Sequence, residues 1–382
     1  MSIAAPALQP IISSSISPRW VSLNSSVATQ LSNLPNPSPA SGTQHIWDPE
    51  TGVFKSSPQS LGPILTERPE TIGGGKLFFE VTNQTLSFDR LDSLDLRGFE
   101  VAYLIPSIGG LVTADAYINV TINETTVHMT YGVTDWLDAS FALPIVRSSA
   151  TVRGGATLRN LQTGATLVPL PTQLVQRSST GPGDGLVRLK ATIPTRKSDG
   201  RSIFGLPGNS RLKLAMATDL RLPIGDEFDY HGSGAFGIKP FLIASVANKA
   251  FSPHVNAGFQ WNGESYLASP LPNVKRNLPG FAFLTAGFDS SLSRRVTVSC
   301  DFLGQRIIRG QRTLLRPYET SDGPSYSEIY FQDQTRDEYN GSAGFKAEVL
   351  PHTVVTANVL FRLNQAGLRA RVIPLLGISR IF

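Results

Sequence analysis

Charged and polar side chains recur at every second position in long segments, and they are the residues best placed to do chemistry. Lys213, Asp219 and Arg221 alternate with apolar residues in one segment, and His254 and Asn256 do so in another. Successive side chains of a β-strand point to opposite faces, so each segment has one apolar and one polar face. With a net charge of +5, a wall of such strands could carry a positive field that favours small anions or acidic aromatic molecules.

Enzyme chemistry has little support in this sequence. The chain contains 5 histidines, without a Gly-x-Ser-x-Gly or a His-Glu-x-x-His arrangement. Cys300 is the single cysteine, so a disulfide framework or a cysteine-based metal site is not expected. His254, with Asn256 on the same face, is the best candidate for a catalytic residue, although a hydrogen-bonded structural histidine is the commoner role. We therefore predict no enzymatic activity, no cofactor and no metal site.

The alternating segments are long enough to cross a membrane as tilted strands. Gly185–Ile193 and Leu212–Leu222 alternate over about ten residues, whereas strands in soluble proteins usually have about five or six. The pattern predicts twelve strands, at about 76–88, 115–131, 136–147, 185–193, 212–222, 234–248, 253–263, 280–291, 296–307, 339–350, 353–364 and 367–382. In the second of them the apolar parity changes around Glu124–Thr126, which predicts a β-bulge there.

Short and long connections alternate between these strands. We expect short turns at 132–135, 249–252, 291–295 and 351–352, and long loops at 89–114, 148–180, 264–279 and 308–338. Bacterial outer-membrane barrels have short periplasmic turns and long outer loops. The predicted fold is therefore all-β: a transmembrane up-and-down antiparallel β-barrel of about 12 strands. A soluble Greek-key barrel, with the apolar face inside, is the alternative.

The charged face of a membrane barrel must point inward, because a charge at the lipid midplane costs about 2–4 kcal/mol. The side chains on this face are the candidates for lining the lumen and contacting a permeant. They are Arg188, Lys190, Lys213, Asp219, Arg221, Lys239, His254, Asn256, Asp289, Asp301, Lys346, Glu348, Arg362, Arg369 and Arg371. These groups could also form an ion-pair network that merely packs the interior. The basic residues are dispersed rather than clustered, so we expect no nucleic-acid partner.

The N-terminal 70 residues differ in composition from the rest of the chain. Residues 1–70 are rich in Ser and Pro and cannot build a core of their own. We expect a flexible segment or a plug folded back into the lumen, followed by the barrel at 71–382. Residues 1–19 show neither the basic start nor the apolar stretch of a signal peptide, so no export signal is evident in this numbering.

Short motifs at turns and strand ends resemble a known group of membrane barrels. They are Tyr131-Gly132-Val133-Thr134-Asp135-Trp136-Leu137-Asp138, Ala142-Leu143-Pro144, Leu220-Arg221-Leu222-Pro223-Ile224-Gly225-Asp226, Gly237-Ile238-Lys239-Pro240 and Ser252-Pro253-His254-Val255-Asn256. Over about residues 73–382 the chain resembles bacterial outer-membrane transporter-like proteins of the meta-pathway phenol-degradation family, which is distantly similar to FadL-type channels. The C-terminal Gly377–Phe382 resembles the terminal-strand signal of bacterial barrels, with Arg380 where an aromatic residue is common.

This resemblance implies a porin-like channel or transporter of the bacterial outer membrane that passes small hydrophobic or aromatic molecules. Its expected partners are outer-membrane lipids, the permeant and, through Phe382, the barrel-assembly machinery. Two alternatives remain open. One is a structural barrel that does not conduct, and the other is a lipid hydrolase with its site on the barrel wall.

Overall fold

A computed structural model describes residues 21–34, 38, 45–48, 53–56, 60–105, 109–160, 165–194, 212–246, 251–269, 273–319 and 325–382. One helix, α1, spans Val21–Leu31. The strands are β1 His45–Asp48, β2 Val53–Ser56, β3 Leu77–Leu91, β4 Leu94–Asp95, β5 Phe99–Ile105, β6 Gly110–Thr134, β7 Leu137–Asn160, β8 Thr166–Pro182, β9 Gly185–Ile193, β10 Leu212–Leu222, β11 Gly237–Val246, β12 Phe251–Asn262, β13 Glu264–Ser265, β14 Arg276–Asn277, β15 Phe281–Ser291, β16 Val296–Glu319, β17 Ser325–Leu350, β18 Thr353–Arg362, β19 Leu368–Ala370 and β20 Val372–Ile381.

Twelve of these strands close into one antiparallel barrel. Their order around the wall is β3, β6, β7, β9, β10, β11, β12, β15, β16, β17, β18 and β20. Pairing of β20 with β3, for example Ile378 with Val81, closes the circle. Closure satisfies the backbone groups that a free sheet edge would leave unpaired, which is a requirement in lipid. The predicted count of twelve strands and the up-and-down antiparallel topology are confirmed.

The two faces of the wall have opposite chemistry. Large apolar side chains on the outer face are exposed, such as Leu242 at 61%, Leu376 at 63% and Met216 at 53%, whereas Lys190 and Asp289 on the inner face are almost completely buried. A soluble barrel would show the reverse distribution. The barrel therefore has the inside-out pattern of a membrane protein, and the soluble alternative is wrong. In the described part of the chain, no helix has the length and apolar character to span a membrane.

Strand pairing extends well beyond the predicted strands at one end of the barrel. The segments expected to be the loops 148–180 and 308–338 are instead tall hairpins, in which Thr151 pairs with Gln176 and Leu315 with Ile329. Part of 89–114 also forms strands β4, β5 and the start of β6. These extensions were missed because polar side chains lie on both faces once the wall leaves the apolar layer. We call the end of the barrel that carries these hairpins the hairpin end, and the end with the short turns the turn end.

The predicted bulge at Glu124–Thr126 is wrong. Pairing of β6 with both β3 and β7 continues through these residues, and the register shifts only between Gly132 and Thr134. Ile118, Val120 and Ile122 are buried on the same inner face as Glu124, so the parity never changes. Along β6 the apolar residues instead change from the inner face, at Ile118–Ile122, to the outer face, at Val127–Tyr131, because the hairpin half of the lumen is itself apolar.

Helix α1 fills that apolar half of the lumen. Its Leu23, Val27 and Leu31 pack in one buried cluster with inward residues of the wall. The wall residues of this cluster include Leu86, Phe88, Ile118, Val120, Ile122, Val146 and Val152. The hydroxyl of Tyr230, in the connection between β10 and β11, donates to Asn24 of the helix, and burial raises the pKa of this phenol. The helix is thus held by the inner face of the wall and by the connection between β10 and β11.

The inside-out wall predicts where an added charge is tolerated. Leu242 lies on the outer face at the middle of β11, so Leu242→Arg should destabilise the membrane-inserted barrel by about 2–4 kcal/mol. Leu292→Arg, at the exposed turn between β15 and β16, should change the unfolding free energy by less than about 0.5 kcal/mol. Urea unfolding in lipid vesicles measures both values. Equal effects of the two substitutions would mean that Leu242 does not contact lipid.

Candidate functional site in the barrel lumen

Residues 60–72, which we call the lumen segment, cross the interior of the barrel below helix α1. Most of this segment is buried, including Leu61, Ile64 and Arg68. Its polar atoms bond to inner-face residues of β7, β9, β10, β12, β15, β16 and β17. The backbone nitrogen of Leu61 donates to Thr297 Oγ1 at 2.8 Å, and at the other end that of Ile72 donates to Asp138 Oδ2 at 3.1 Å. The segment therefore belongs to the packed interior.

On the side of β12, β15 and β16, the lumen segment fits into a cluster of carboxylates. Arg68 forms an ion pair with Asp289. The hydroxyl of Thr66 lies 3.0 Å from Asp301 Oδ1 and 2.6 Å from His254 Nε2. His254 Nε2 is also 2.9 Å from Asp301 Oδ1. Each buried charge on this side is thus matched by an opposite charge or a hydrogen bond.

On the opposite side, Glu67 meets the cations of β9. It pairs with Arg188 and lies 3.5 Å from the Lys190 ammonium. Arg188 also donates to both carboxylate oxygens of Asp219, at 2.6 and 2.8 Å. The Glu67 backbone exchanges two hydrogen bonds with the Asn256 side chain, at 2.8 and 3.0 Å. Glu67 is therefore held by β9 and β12 at once and bridges these two parts of the wall inside the lumen.

Further contacts hold both ends of the lumen segment. Glu70 accepts from Lys213 Nζ at 2.9 Å, and Lys346 Nζ donates to the Pro63 carbonyl at 2.7 Å. Charges buried in a low-dielectric interior are costly unless they are paired and hydrogen-bonded. Because the lumen segment supplies these partners, it stabilises the charged wall as much as the wall stabilises it.

Helix α1 is fastened to the wall by a separate set of polar contacts. Gln30 Nε2 donates to Glu338 Oε2 at 3.1 Å, and Glu338 also pairs with Arg336 at 2.9 Å and Arg369 at 3.0 Å. The carbonyl of Ser32, just after the helix, accepts from Arg221 and Gln260. The apolar cluster and these bonds together anchor the helix near the hairpin end.

The structure places most of the candidate residues on the inner face and buries them. The buried ones are Arg188, Lys190, Asp219, Arg221, His254, Asn256, Asp289, Asp301, Lys346 and Arg369. Lys213, Lys239, Glu348 and Arg362 are partly exposed. Arg362 pairs with Asp89 towards the hairpin end. Glu348, near the end of β17, accepts from the His352 backbone at 3.1 Å, so its carboxylate contacts the turn that follows the strand.

Arg371 departs from the predicted pattern. It was expected on one face with Arg369, but it is exposed whereas Arg369 is 3% exposed. The register between β19 and β3 is irregular between Arg369 and Ala370, and Arg371 lies between β19 and β20. The alternation that would have brought both side chains inside is therefore interrupted.

The sequence pattern missed the partners that the lumen segment contributes. Thr66, Glu67 and Arg68 lie in the Ser- and Pro-rich part of the chain, where no strand pattern marks them. One signal was present: Glu67, Arg68 and Glu70 form a dense charged group in a region that otherwise carries few charges. Such a group is expected where a segment must meet a charged surface.

A cavity of about 120 Å³ lies between helix α1 and the lumen segment. Its lining mixes apolar side chains, such as Leu65, Phe88 and Leu360, with charged ones, such as Arg188 and Lys239. The Lys239 ammonium lies 4.5 Å from the centre of the Phe283 ring, a cation–π distance. A cavity of about 150 Å³ has room for a benzene-sized molecule. We call this cavity the chamber; its mixed lining suits a small molecule that has both an apolar part and polar groups.

Comparisons with known proteins find similarity at the level of solved structures. No family model matches this sequence, and no curated protein matches it. The fold is similar to the COG4313 outer membrane channel from Pseudomonas putida F1, at 10% identity over 82% of this chain and 97% of that one, with a TM-score of 0.47. It is also similar to the toluene transporter TbuX of Ralstonia pickettii, at 12% identity over 92% and 99% of the two chains, with a TM-score of 0.33. The translocator domain of the autotransporter NalP from Neisseria meningitidis matches at 11% identity over 81% and 89%, with a TM-score of 0.38.

The buried ion pairs predict a large effect of removing one partner. Arg68→Met leaves the Asp289 carboxylate buried without its counterion and should lower the unfolding free energy by about 3–5 kcal/mol. Asp289→Asn in the same chain should recover part of this loss, because the unpaired charge is gone. Urea unfolding in vesicles gives the values, with Arg380→Met, at an exposed arginine of the outer face, as the neutral control. A loss below about 1 kcal/mol for Arg68→Met would show that the pair is not formed.

Proposed function

We propose that this protein is a bacterial outer-membrane channel for small hydrophobic or aromatic molecules, with residues 1–70 acting as its plug and 71–382 as its barrel. The observation that carries the proposal is a chamber lined by apolar as well as charged side chains inside a closed, inside-out barrel. A structural scaffold does not need such an internal chamber. A channel for water-soluble ions alone would not need the apolar part of the lining.

The two ends of the barrel support an orientation in the outer membrane. Short turns, such as the one at Pro351 and His352, gather at one end together with Leu77 and Phe382. Tall hairpins gather at the other end. Outer-membrane barrels place short turns in the periplasm and long loops outside the cell. The hairpin end and helix α1 then face the exterior, and the lumen segment leads towards the periplasm.

A permeant that enters from the hairpin end would have to pass helix α1 to reach the chamber, and it would stop there because the lumen segment lies beneath the chamber. This segment is held by side-chain contacts and is not a strand of the barrel. It is followed by Gly73, Gly74 and Gly75, of which Gly73 and Gly75 have φ of 93° and 75°. Glycine adopts such angles without strain, so this site can serve as a hinge. Swinging of the segment about the hinge would open the chamber to the periplasm.

A barrel that does not conduct is the second candidate, and the closed lumen favours it. The same ion pairs that could hold the lumen segment as a closed gate could also keep the lumen of a structural barrel closed permanently. The wall-borne hydrolase gains no support from His254, which is 4% exposed and faces the lumen segment rather than lipid. Phe382 is 65% exposed at the turn end, which leaves it accessible to the barrel-assembly machinery, as the terminal-strand resemblance implies.

Release of the lumen segment should separate the two candidates. In planar bilayers, the full chain should show little conductance. The double variant Glu67→Gln/Arg68→Gln should show channel openings at least about 10-fold more often, because the charges of Glu67 and Arg68 no longer hold the lumen segment in place. Efflux of toluene from proteoliposomes should rise in parallel. A chain without residues 1–70 should be permanently open.

Arg380→Gln is the matched control, since this arginine is exposed on the outer wall and should leave conductance unchanged. Heat-dependent gel mobility of each variant verifies that the barrel has folded. If the chain without residues 1–70 is folded but passes neither ions nor toluene, the barrel is structural and the channel proposal fails.

A further inference from the structure

The outer wall is not apolar all the way round. On β3, β6 and β7, the side chains nearer the hairpin end are polar although they point outward. We call this surface the polar patch and define it by six residues: Asn83, Thr85, Thr121, Asn123, Arg147 and Arg153. Because outward side chains of a membrane barrel normally meet lipid tails, the polar patch needs an explanation.

The neighbouring strands show that the apolar belt is locally shortened. On β3 only Leu77, Phe79 and Val81 face outward before the polar residues begin, although a membrane strand usually has about nine to eleven residues. On the adjacent β20, apolar outward residues continue to Leu376, which pairs directly with Asn83, and on to Val372. The polar patch is therefore a local interruption of the apolar outer surface, at the height where the headgroups of the outer leaflet meet the lipid tails.

The neutral part of the polar patch is already organised by hydrogen bonds. Asn83 Nδ2 donates to Thr125 Oγ1 at 2.9 Å and to Asn123 Oδ1 at 3.2 Å, and Asn123 Nδ2 donates to Thr85 Oγ1 at 2.7 Å. Thr121 donates to Ser87 Oγ at 3.3 Å. These bonds fix a ladder of amides and hydroxyls across two strands. The amide donors are used within the ladder, but the hydroxyls of Thr85 and Thr125 accept in these bonds and keep their own O–H groups as donors for a hydroxyl-rich ligand.

The charged part of the polar patch is cationic. Arg147 on β7 lies opposite Asn123 of β6 in the strand register. Its side chain is exposed and has no ion pair among the described residues. Arg153 is exposed and lies over the Tyr117 ring at 5.7 Å. The six residues include no carboxylate. A guanidinium that faces outward near the headgroups matches a phosphate, which it can bind through two parallel hydrogen bonds.

We infer that the polar patch binds the headgroup of a phosphorylated glycolipid in the outer leaflet. Saccharide hydroxyls would bond to the ladder of Asn and Thr, phosphates to Arg147 and Arg153, and acyl chains would pack on Val81 and the apolar belt below. This inference rests on the outer-membrane location proposed above, but it concerns the outer wall and not the lumen.

Binding to a labelled rough-type lipopolysaccharide in mixed micelles tests the assignment. The full chain should bind it, and Arg147→Glu/Arg153→Glu should bind at least about 10-fold more weakly. Asn123→Leu should weaken binding to a smaller extent and should leave binding of phosphatidylglycerol unchanged. Arg306→Glu is the matched control: this arginine is also outward and exposed, but it lies on β16 opposite Asp337, and its replacement should have no effect.

Three results would overturn the inference. Equal binding by the double variant and the full chain would show that the arginines are not used. Equal affinity for phosphatidylglycerol and lipopolysaccharide would show a non-specific attraction to anionic lipid. Dimers of the full chain that dissociate in the double variant would make the polar patch an interface between two copies. Conductance through the lumen is independent of these results, so a failure here leaves the channel proposal standing.

Discussion

Buried charge is the constraint on which this structure depends. A barrel of twelve strands is wider than side chains alone can fill, and the part of its outer face that meets lipid tails must be apolar. Charged residues at that height can therefore lie only inside, where they need partners. The wall provides some pairs of its own, as Arg188 does with Asp219. Other charges have only longer contacts within the wall, such as Asp289 with His254 at 3.5 Å and Lys190 with Asp138 at 3.7 Å, and gain a further partner from elsewhere.

The lumen segment supplies the missing partners, and this explains why a Ser- and Pro-rich part of the chain is ordered there. It has no core and forms no strand in the barrel, but Glu67 and Arg68 satisfy charges on opposite sides of the wall. The same arrangement makes opening feasible. When the segment leaves, water can replace it around the exposed charges, so the cost of opening is smaller than the cost of breaking the pairs in a dry interior.

Alternation in the sequence was sufficient to predict the barrel, because lipid on one side and charge on the other impose a strict period of two. The twelve strands and their antiparallel order follow from it. The same rule failed where the environment inside the barrel changes. Ile118 and Val120 face an apolar helix inside the lumen, so they suggested a bulge that does not exist. The tall hairpins were missed because polar side chains lie on both of their faces beyond the apolar belt.

Only the wall residues of the candidate site could be predicted from the sequence. Wall residues such as Arg188 and Asp301 follow from strand parity, whereas their partners Glu67 and Thr66 lie in a segment without periodicity. Pairing between distant parts of the chain leaves no local pattern, so only the unusual density of charges at 67–70 pointed to it. Arg371 shows the converse limit, since one irregular pair at the end of a strand reversed the expected face.

Labelling of a cysteine in the lumen segment tests the central claim most directly. In a Cys300→Ser background, Leu61→Cys would replace a residue that is 6% exposed, and Ser93→Cys would provide an exposed reference near the hairpin end. In the folded, membrane-inserted protein, a small water-soluble maleimide should modify the cysteine at 61 at least about 100-fold more slowly than the one at 93. Equal rates at the two positions would show that the lumen segment does not lie inside the barrel.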